Sequence, residues 1–296
     1  MNCLKKNVND NIYDFFIENN NLKHIYQDIF EGGKRLRPII TILILKSFLR
    51  NNNFYIERFN ESIQKLYLVN EIVHNISLIL DDLPCMDNDN YRRGKETIHF
   101  KYGCHSALSI IFNLMEDYGR LIKENIDEKE EINIDGKVIK IYDYLYNILN
   151  KSVLELIEGQ YLDLNYLPIG LNEEMIIKIN SFKTVPLFRT SFLLGYFLIY
   201  KFDKKFIFKE DIINDLGKIA KYLGIIFQIS DDYLDIEQDK KNKIFLNFFL
   251  TLGNKRTLEI YDENLNNLEN LLQKHNLFCK DIKEIIKLIN NRIYGK

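Results

Sequence analysis

The chain has 296 residues, 46% of them hydrophobic and 28% charged, with a net charge of −2, 13 Gly and 4 Pro. That length permits a sizeable core, so few Pro and Gly exclude collagen-like and Pro-rich classes, and the apolar content excludes a disordered chain. The near-neutral balance lacks the basic excess of a nucleic-acid binder.

The first thirty residues mix Lys5 and Lys6 with Asp10, Asp14, Glu18 and Asp28 and hold no continuous apolar run, which fits neither a signal peptide nor a transit peptide. Cys3, Cys85, Cys104 and Cys279 lie far apart with no CxxC pair, so a reducing compartment without disulfides or zinc is expected. No stretch reaches the roughly 18 apolar residues of a stable membrane span. The expected location is the cytoplasm, or the matrix of a plastid-like organelle if an upstream targeting segment was removed.

Further along, Gly32-Gly33-Lys34-Arg35-Leu36-Arg37-Pro38 sets a Gly pair and three cations before a helix starting near Pro38, a composition suited to gripping phosphate. An apolar helical run from Val69 to Leu80 ends in Asp81-Asp82-Leu-Pro-Cys-Met-Asp87, and Arg92-Arg93-Gly94 closes the following loop. Ile132, Ile134, Val138 and Ile141 flank Asp135-Gly136 with partial alternation, which reads as a short hairpin or as a loop between helices. A second apolar run, Leu223 to Ile229, leads into Asp231-Asp232-Tyr-Leu-Asp235. Near the end, Ile282, Ile285, Ile286 and Ile289 keep helical spacing. Polar breaks fall near 50–53, 87–95, 165–173, 201–209 and 237–243, with no long linker, so residues 1–296 read as one all-α domain.

Asp231 and Asp235 stand four apart, hence about 40° around a helix and about 6 Å along it, and two carboxylates so placed repel unless a cation lies between them. The six-residue spacing of Asp81 and Asp87 would separate them by about 120° on a straight helix, but Pro84 disfavours helix at Leu83 and lets Asp87 turn back. Hard oxygen ligands of this kind suit Mg2+, which completes its shell with water and phosphate. Paired arginines beside such carboxylates suggest a second, metal-free diphosphate, because Arg offers oxyanions a fork of donors. His74 precedes Asp81 by seven and shares its helix face about 10 Å away, suited to a neighbouring anion rather than to the same metal. Phe227 is an aromatic wall for a carbocation or ordinary core.

These motifs carry a resemblance. Gly33-Lys34-Arg35-Leu36-Arg37-Pro38, His74 through Asp87 with Arg92-Arg93-Gly94, Gly159-Gln160-Tyr161-Leu162-Asp163, Lys183-Thr184 and Phe227-Gln228 through Asp235 occur in the order found in short-chain trans-isoprenyl diphosphate synthases, the farnesyl and geranylgeranyl diphosphate synthase family. The wording of the first acidic cluster is most like the geranylgeranyl enzymes. The resemblance implies a bundle of long, mostly antiparallel helices around a central cavity, a homodimer, and condensation of isopentenyl diphosphate with an allylic diphosphate. It implies magnesium on Asp81, Asp87, Asp231 and Asp235, with Arg92, Lys183 and Gln228 gripping the allylic diphosphate. Asp82, Asp232 and Thr184 join that catalytic set as members of the same motifs. Lys34, Arg37, His74 and Arg93 would seat isopentenyl diphosphate, beside Phe227.

Two departures stand out. Phe112-Asn113 replaces a Gly-Asp pair, and the stretch after Asp235 is abridged, with Phe245 near where relatives keep a lysine and Lys240, Lys241 or Lys243 as substitutes. The abridgement supports an alternative, a catalytically weak prenyltransferase-like subunit that binds and modulates a partner synthase. Product length is read from Ile76 and Ser77 beneath Asp81. An aromatic residue there stops relatives at farnesyl; with neither aromatic, growth to geranylgeranyl diphosphate is expected unless Phe112 plugs the cavity.

Overall fold

The computed structural model describes residues 1–18, 21–52, 65–165, 171–242 and 246–295. In chain order the helices are α1 (Asn2–Ile12), α2 (Lys23–Phe30), α3 (Leu36–Asn51), α4 (Val69–Asp81), α5 (Ile98–Tyr102), α6 (Cys104–Asn125), α7 (Ile141–Asn165), α8 (Glu173–Phe197), α9 (Glu210–Asn242), α10 (Phe248–Lys274) and α11 (Lys280–Tyr294). The fold is all-α. Helix α8 is apolar nearly all round and buried from Thr184 to Phe188 and from Thr190 to Phe197, which makes it the axis of the bundle. It packs against α3, α7 and α9, while α10 packs on α9 and α6 on α4.

Two glycines set how closely the neighbours of α8 approach. A Cβ on Gly159 of α7 would lie 2.9 Å from the backbone carbon of Phe182, and one on Gly224 of α9 would lie 2.8 Å from Val185. Both contacts flank Lys183 and Thr184, so helix spacing fixes the site's depth.

The Asp135-Gly136 segment is a hairpin, β3 (Glu131–Ile134) against β4 (Lys137–Lys140), with φ of +47° and +90° at its turn. A short strand, β5 (Ile207–Phe208), adds parallel to β3 and supplies the packing that an isolated hairpin lacks. An earlier two-residue pair joins β1 (Tyr91–Arg92) to β2 (Lys95–Glu96).

Several expected boundaries move. The basic-run helix begins at Leu36, and the break expected at 237–243 is helix as far as Asn242. Lys243 and Phe245 lie outside the described residues. Lys240 pairs with Glu237 on its own helix at 3.1 Å. The four cysteines are free, and among the described residues no helix is long and apolar enough to cross a membrane.

Candidate active site

Helix α4 stops at Asp81, and the Asp87 N–H donates to the Asp81 carbonyl at 2.9 Å, so the chain doubles back around Pro84. Both carboxylates have raised pKa values. Burial, reinforced by Asp87, pushes Asp81 up to about 6 against the pull of Lys183 and Arg92, and burial does the same in direction for Asp87. Among the described residues neither carboxylate takes a side-chain or backbone hydrogen bond. Lys183 and Arg92 only partly offset the cost of burying these charges.

Asp82 behaves differently. It is 5% exposed and accepts the Arg92 Nε–H at 2.5 Å, with Asp89 3.5 Å from the same guanidinium. One residue further, Arg93 (φ +54°) and Gly94 (φ +78°) form the two-residue turn between β1 and β2, a connection that needs left-handed backbone at both positions. Asp82 therefore braces Arg92 and stands outside the wall of the apolar cavity.

Lys183 links the two acidic corners. It is ion-paired to Asp163; burial alone would lower its pKa, but Asp163, Asp81 and Asp87 together hold it above the usual lysine value. The next residue, Thr184, donates its hydroxyl to Gln228 Oε1 at 2.9 Å, and Gln228 donates Nε2–H to Asp232 Oδ1 at 2.8 Å. Asp232 also accepts the Phe248 N–H at 2.8 Å, and its carbonyl accepts from Asn247 at 2.9 Å. Burial, with Asp239 and Asp231 adding to it, pushes Asp232 up to about 7. Like Asp82, Asp232 is a brace, here joining α9 to the start of α10.

Gln228, Asp231 and Asp235 lie on the single helix α9, as their spacing requires. Asp235 is exposed, whereas Asp231 accepts from Arg292 of α11, whose Nη1 also donates to Ser230 Oγ at 2.9 Å. The same guanidinium lies 5.3 Å over the Phe227 ring, and Phe227 meets Phe188 edge-on at 5.6 Å, so Phe227 is both core contact and site wall. Arg292 was missed in the sequence, where a lone basic residue in the last turn of a helix is ordinary.

On the basic side, Arg35 takes left-handed backbone (φ +56°) and buries its guanidinium on Glu71 at 2.6 Å, Asn9 at 2.9 Å and the Phe30 carbonyl. It holds the loop. Arg37 is left with a buried Nε that has no partner, 5.4 Å from Phe188 measured from Cζ, and burial, with Arg93 adding and Glu71 opposing, brings its pKa down to about 10. Burial and then Arg37, Arg93, Arg35 and Arg92 depress His74 well below the ordinary histidine value, so its imidazole is neutral. Lys34 is lowered by burial and by Arg292 and Arg93. Lys34 and Arg93 are exposed and Arg37 half-buried, so the three cations converge on solvent-facing space where an oxyanion could sit.

Beneath Asp81 and Lys183 lies a largely apolar cavity of about 600 Å³, walled by α4, α6, α7 and α8 residues that include Ile76, Ser77, Ile111, Met115 and Leu156. Ile76 and Ser77 stand on the wall as expected. Phe112 does not: it is 69% exposed, because Ile111, Met115 and Tyr118 occupy the inward face of α6 and their neighbour at 112 turns about 100° away.

An all-helical bundle with carboxylates and arginines at the mouth of an apolar cavity defines a prenyl-transfer class of enzyme. Residues 19–289 match the Polyprenyl synthetase family, and the chain belongs to it. It is similar to a farnesyl diphosphate synthase of Buchnera aphidicola subsp. Schizaphis graminum, 31% identical over 88% of this chain and 84% of the relative. A geranylgeranyl diphosphate synthase of Saccharolobus solfataricus is 31% identical over 81% of this chain and 66% of that protein. In fold the chain resembles a geranyltransferase of Helicobacter pylori complexed with magnesium and isoprenyl diphosphate, with TM-score 0.72, 24% identity and coverage of 99% and 97%. The chain is a trans-prenyltransferase, and the modulating-subunit reading is not favoured.

Proposed function

We propose that this enzyme condenses isopentenyl diphosphate head-to-tail with an allylic diphosphate, extending the chain to geranylgeranyl diphosphate. The observation that carries the reading is the apolar cavity with Asp81 and Lys183 at its rim, which sorts a prenyl tail from its diphosphate. Asp81, Asp87, Asp231 and Asp235 would hold magnesium. The donor set fits: all four are hard oxygen ligands, the kind magnesium takes while completing its shell with water and phosphate oxygens. When bound, the ions neutralise the charge that develops on the departing diphosphate. The magnesium and isoprenyl diphosphate of the Helicobacter pylori relative support this assignment.

Arg92, held by Asp82, and Lys183, held by Asp163, grip the allylic diphosphate from fixed positions. Lys34, Arg37 and Arg93 seat the isopentenyl diphosphate, with neutral His74 adding a donor. Loss of the allylic carbon–oxygen bond leaves a cation, which the isopentenyl double bond attacks; the adduct then gives up a proton, and the released diphosphate is the base at hand. The apolar wall keeps water from the cation. Incubation with magnesium, isopentenyl diphosphate and labelled dimethylallyl, geranyl or farnesyl diphosphate tests the reading. Elongated products ending at geranylgeranyl diphosphate are expected; no elongation from any primer contradicts it.

Arg93→Ala and His74→Ala are expected to raise KM for isopentenyl diphosphate by about tenfold or more, with a smaller change for the allylic substrate, since a charge-assisted hydrogen bond contributes about 1.5–3 kcal/mol. Equal effects on both substrates would reverse the assignment of the two sites.

The same reading includes a homodimer. Leu108 and Phe112 of α6 and Leu154 and Ile157 of α7 are exposed, and Ile157 is also part of the cavity wall, so a second copy on this face would complete the enclosure. Phe112→Glu is expected to give a monomer by sedimentation velocity. A wild-type monomer, or a variant that stays dimeric, argues against this interface.

A further inference from the structure

The loop that carries Lys34 into α3 passes through three left-handed residues, Gly32 (φ +79°), Gly33 (φ +66°) and Arg35 (φ +56°). Glycine takes that conformation freely, whereas an arginine holds it only where its surroundings impose it. What imposes it here is the side chain. The Arg35 guanidinium donates Nη1–H to Glu71 Oε1 of α4 at 2.6 Å, Nε–H to Asn9 Oδ1 of α1 at 2.9 Å, and Nη2–H to the Phe30 carbonyl at the end of α2. The loop is wrapped around this head group: a Cβ on Gly33 would lie 2.6 Å from Arg35 Nη1 and 3.7 Å from Arg93 Nη1. Arg35, one of three cations in the basic run, is thus committed to protein acceptors.

Glu71 is the acid of this arrangement. It is 4% exposed, as is Arg35, and stands three residues before His74 on α4. It is also the strongest charge favouring the ionised form of Arg37. One carboxylate therefore meets Arg35 directly and acts on Arg37 through space, behind the loop that presents Lys34.

We infer that Glu71 is a positioning residue of the isopentenyl diphosphate seat, fixing through Arg35 the loop that sets Lys34 and Arg37 beside Arg93. The inference rests on the proposed assignment of that seat and adds the group that shapes it. Three like charges brought together repel, so the seat does not hold itself. A buried carboxylate that ties down the backbone between two of them restrains it before substrate arrives, and donors already in place bind without an ordering cost.

Binding of isopentenyl diphosphate, measured by calorimetry with EDTA present, reads this role without turnover, while KM for each substrate and thermal melts separate it from a general loss of structure. Glu71→Gln keeps the size and one acceptor oxygen but not the charge. It is expected to weaken isopentenyl diphosphate binding and raise its KM by about tenfold, with KM for the allylic substrate within about twofold of wild type. Arg35→Met combined with Glu71→Met removes the pair without stranding either charge, and is expected to melt near the wild type yet bind isopentenyl diphosphate about tenfold more weakly. Variants with native melting that bind isopentenyl diphosphate like the wild type, or that raise both KM values equally, overturn the inference. Should both lose the fold, Asn9→Ala removes another acceptor of the same guanidinium from the exposed side of α1. It is expected to weaken the same binding by about threefold, and wild-type affinity overturns the inference. A wild type that binds no isopentenyl diphosphate contradicts the proposed function, a result distinct from any of these.

Discussion

Asp81→Ala and Asp231→Ala are each expected to lower kcat by about a thousandfold or more, because neutralisation of a departing diphosphate is worth several kcal/mol and each 1.36 kcal/mol is a factor of ten. The two substitutions remove carboxylates with different partners. Burial of the Asp81 carboxylate outweighs the pull of Lys183, so its removal also relieves the cost of burying that charge, and the variant is expected to melt no lower than the wild type in the absence of magnesium. Asp231 is paired with Arg292, and its loss strands a guanidinium that is only partly exposed, so that variant is expected to be less stable as well as less active. Steady-state kinetics at saturating magnesium, together with thermal melts, check both statements. Turnover within about tenfold of wild type for either variant contradicts the metal assignment. Asp163→Asn is expected to cost less, about 10–100-fold, because Asp163 acts by holding Lys183.

Ser77→Tyr or Ile76→Tyr is expected to move the product terminus down by at least one isoprene unit. Both side chains face the cavity within about one and a half turns of Asp81, so a ring there blocks the tail high in the pocket. The Ser77 hydroxyl now donates to the His74 carbonyl at 2.9 Å, a bond within the same helix whose loss is a minor cost. Because the carboxylates and cations are untouched, the rate of the first condensation should fall little. Chromatography of the labelled products decides the matter, and retention of the wild-type terminus by both variants would show that the tail follows another path. Phe112, which the sequence offered as a plug of the cavity, is not on its wall, so Phe112→Gly is expected to leave chain length unaltered within one protomer's cavity.

Local spacing was enough to place much of the site. Asp231 and Asp235 share a face of α9 because four residues make just over one turn, and Asp87 returns to Asp81 because Pro84 cannot continue α4. The run Ile282, Ile285, Ile286 and Ile289 was legible as the buried face of a helix for the same reason. The Asp135-Gly136 turn was legible only as one of two alternatives, since β5, which decides for the hairpin, lies some seventy residues away and has no period of its own.

What tertiary structure alone decided is which way each polar group points and which distant residue meets it. Asp81 and Asp82 are adjacent in sequence, yet one faces the cavity and the other holds Arg92, a division set by the β1–β2 turn. Asp231 and Asp232 divide in the same way between Arg292 and the N-terminus of α10. Arg292 stands 61 residues from Asp231, so no helical period connects them. Phe112 and Tyr118 sit on one amphipathic helix, and only the position of α7 decides that Tyr118 looks into the cavity and Phe112 away from it. Side-chain period fixes relative orientation within an element, but the absolute direction comes from the neighbours that bury it.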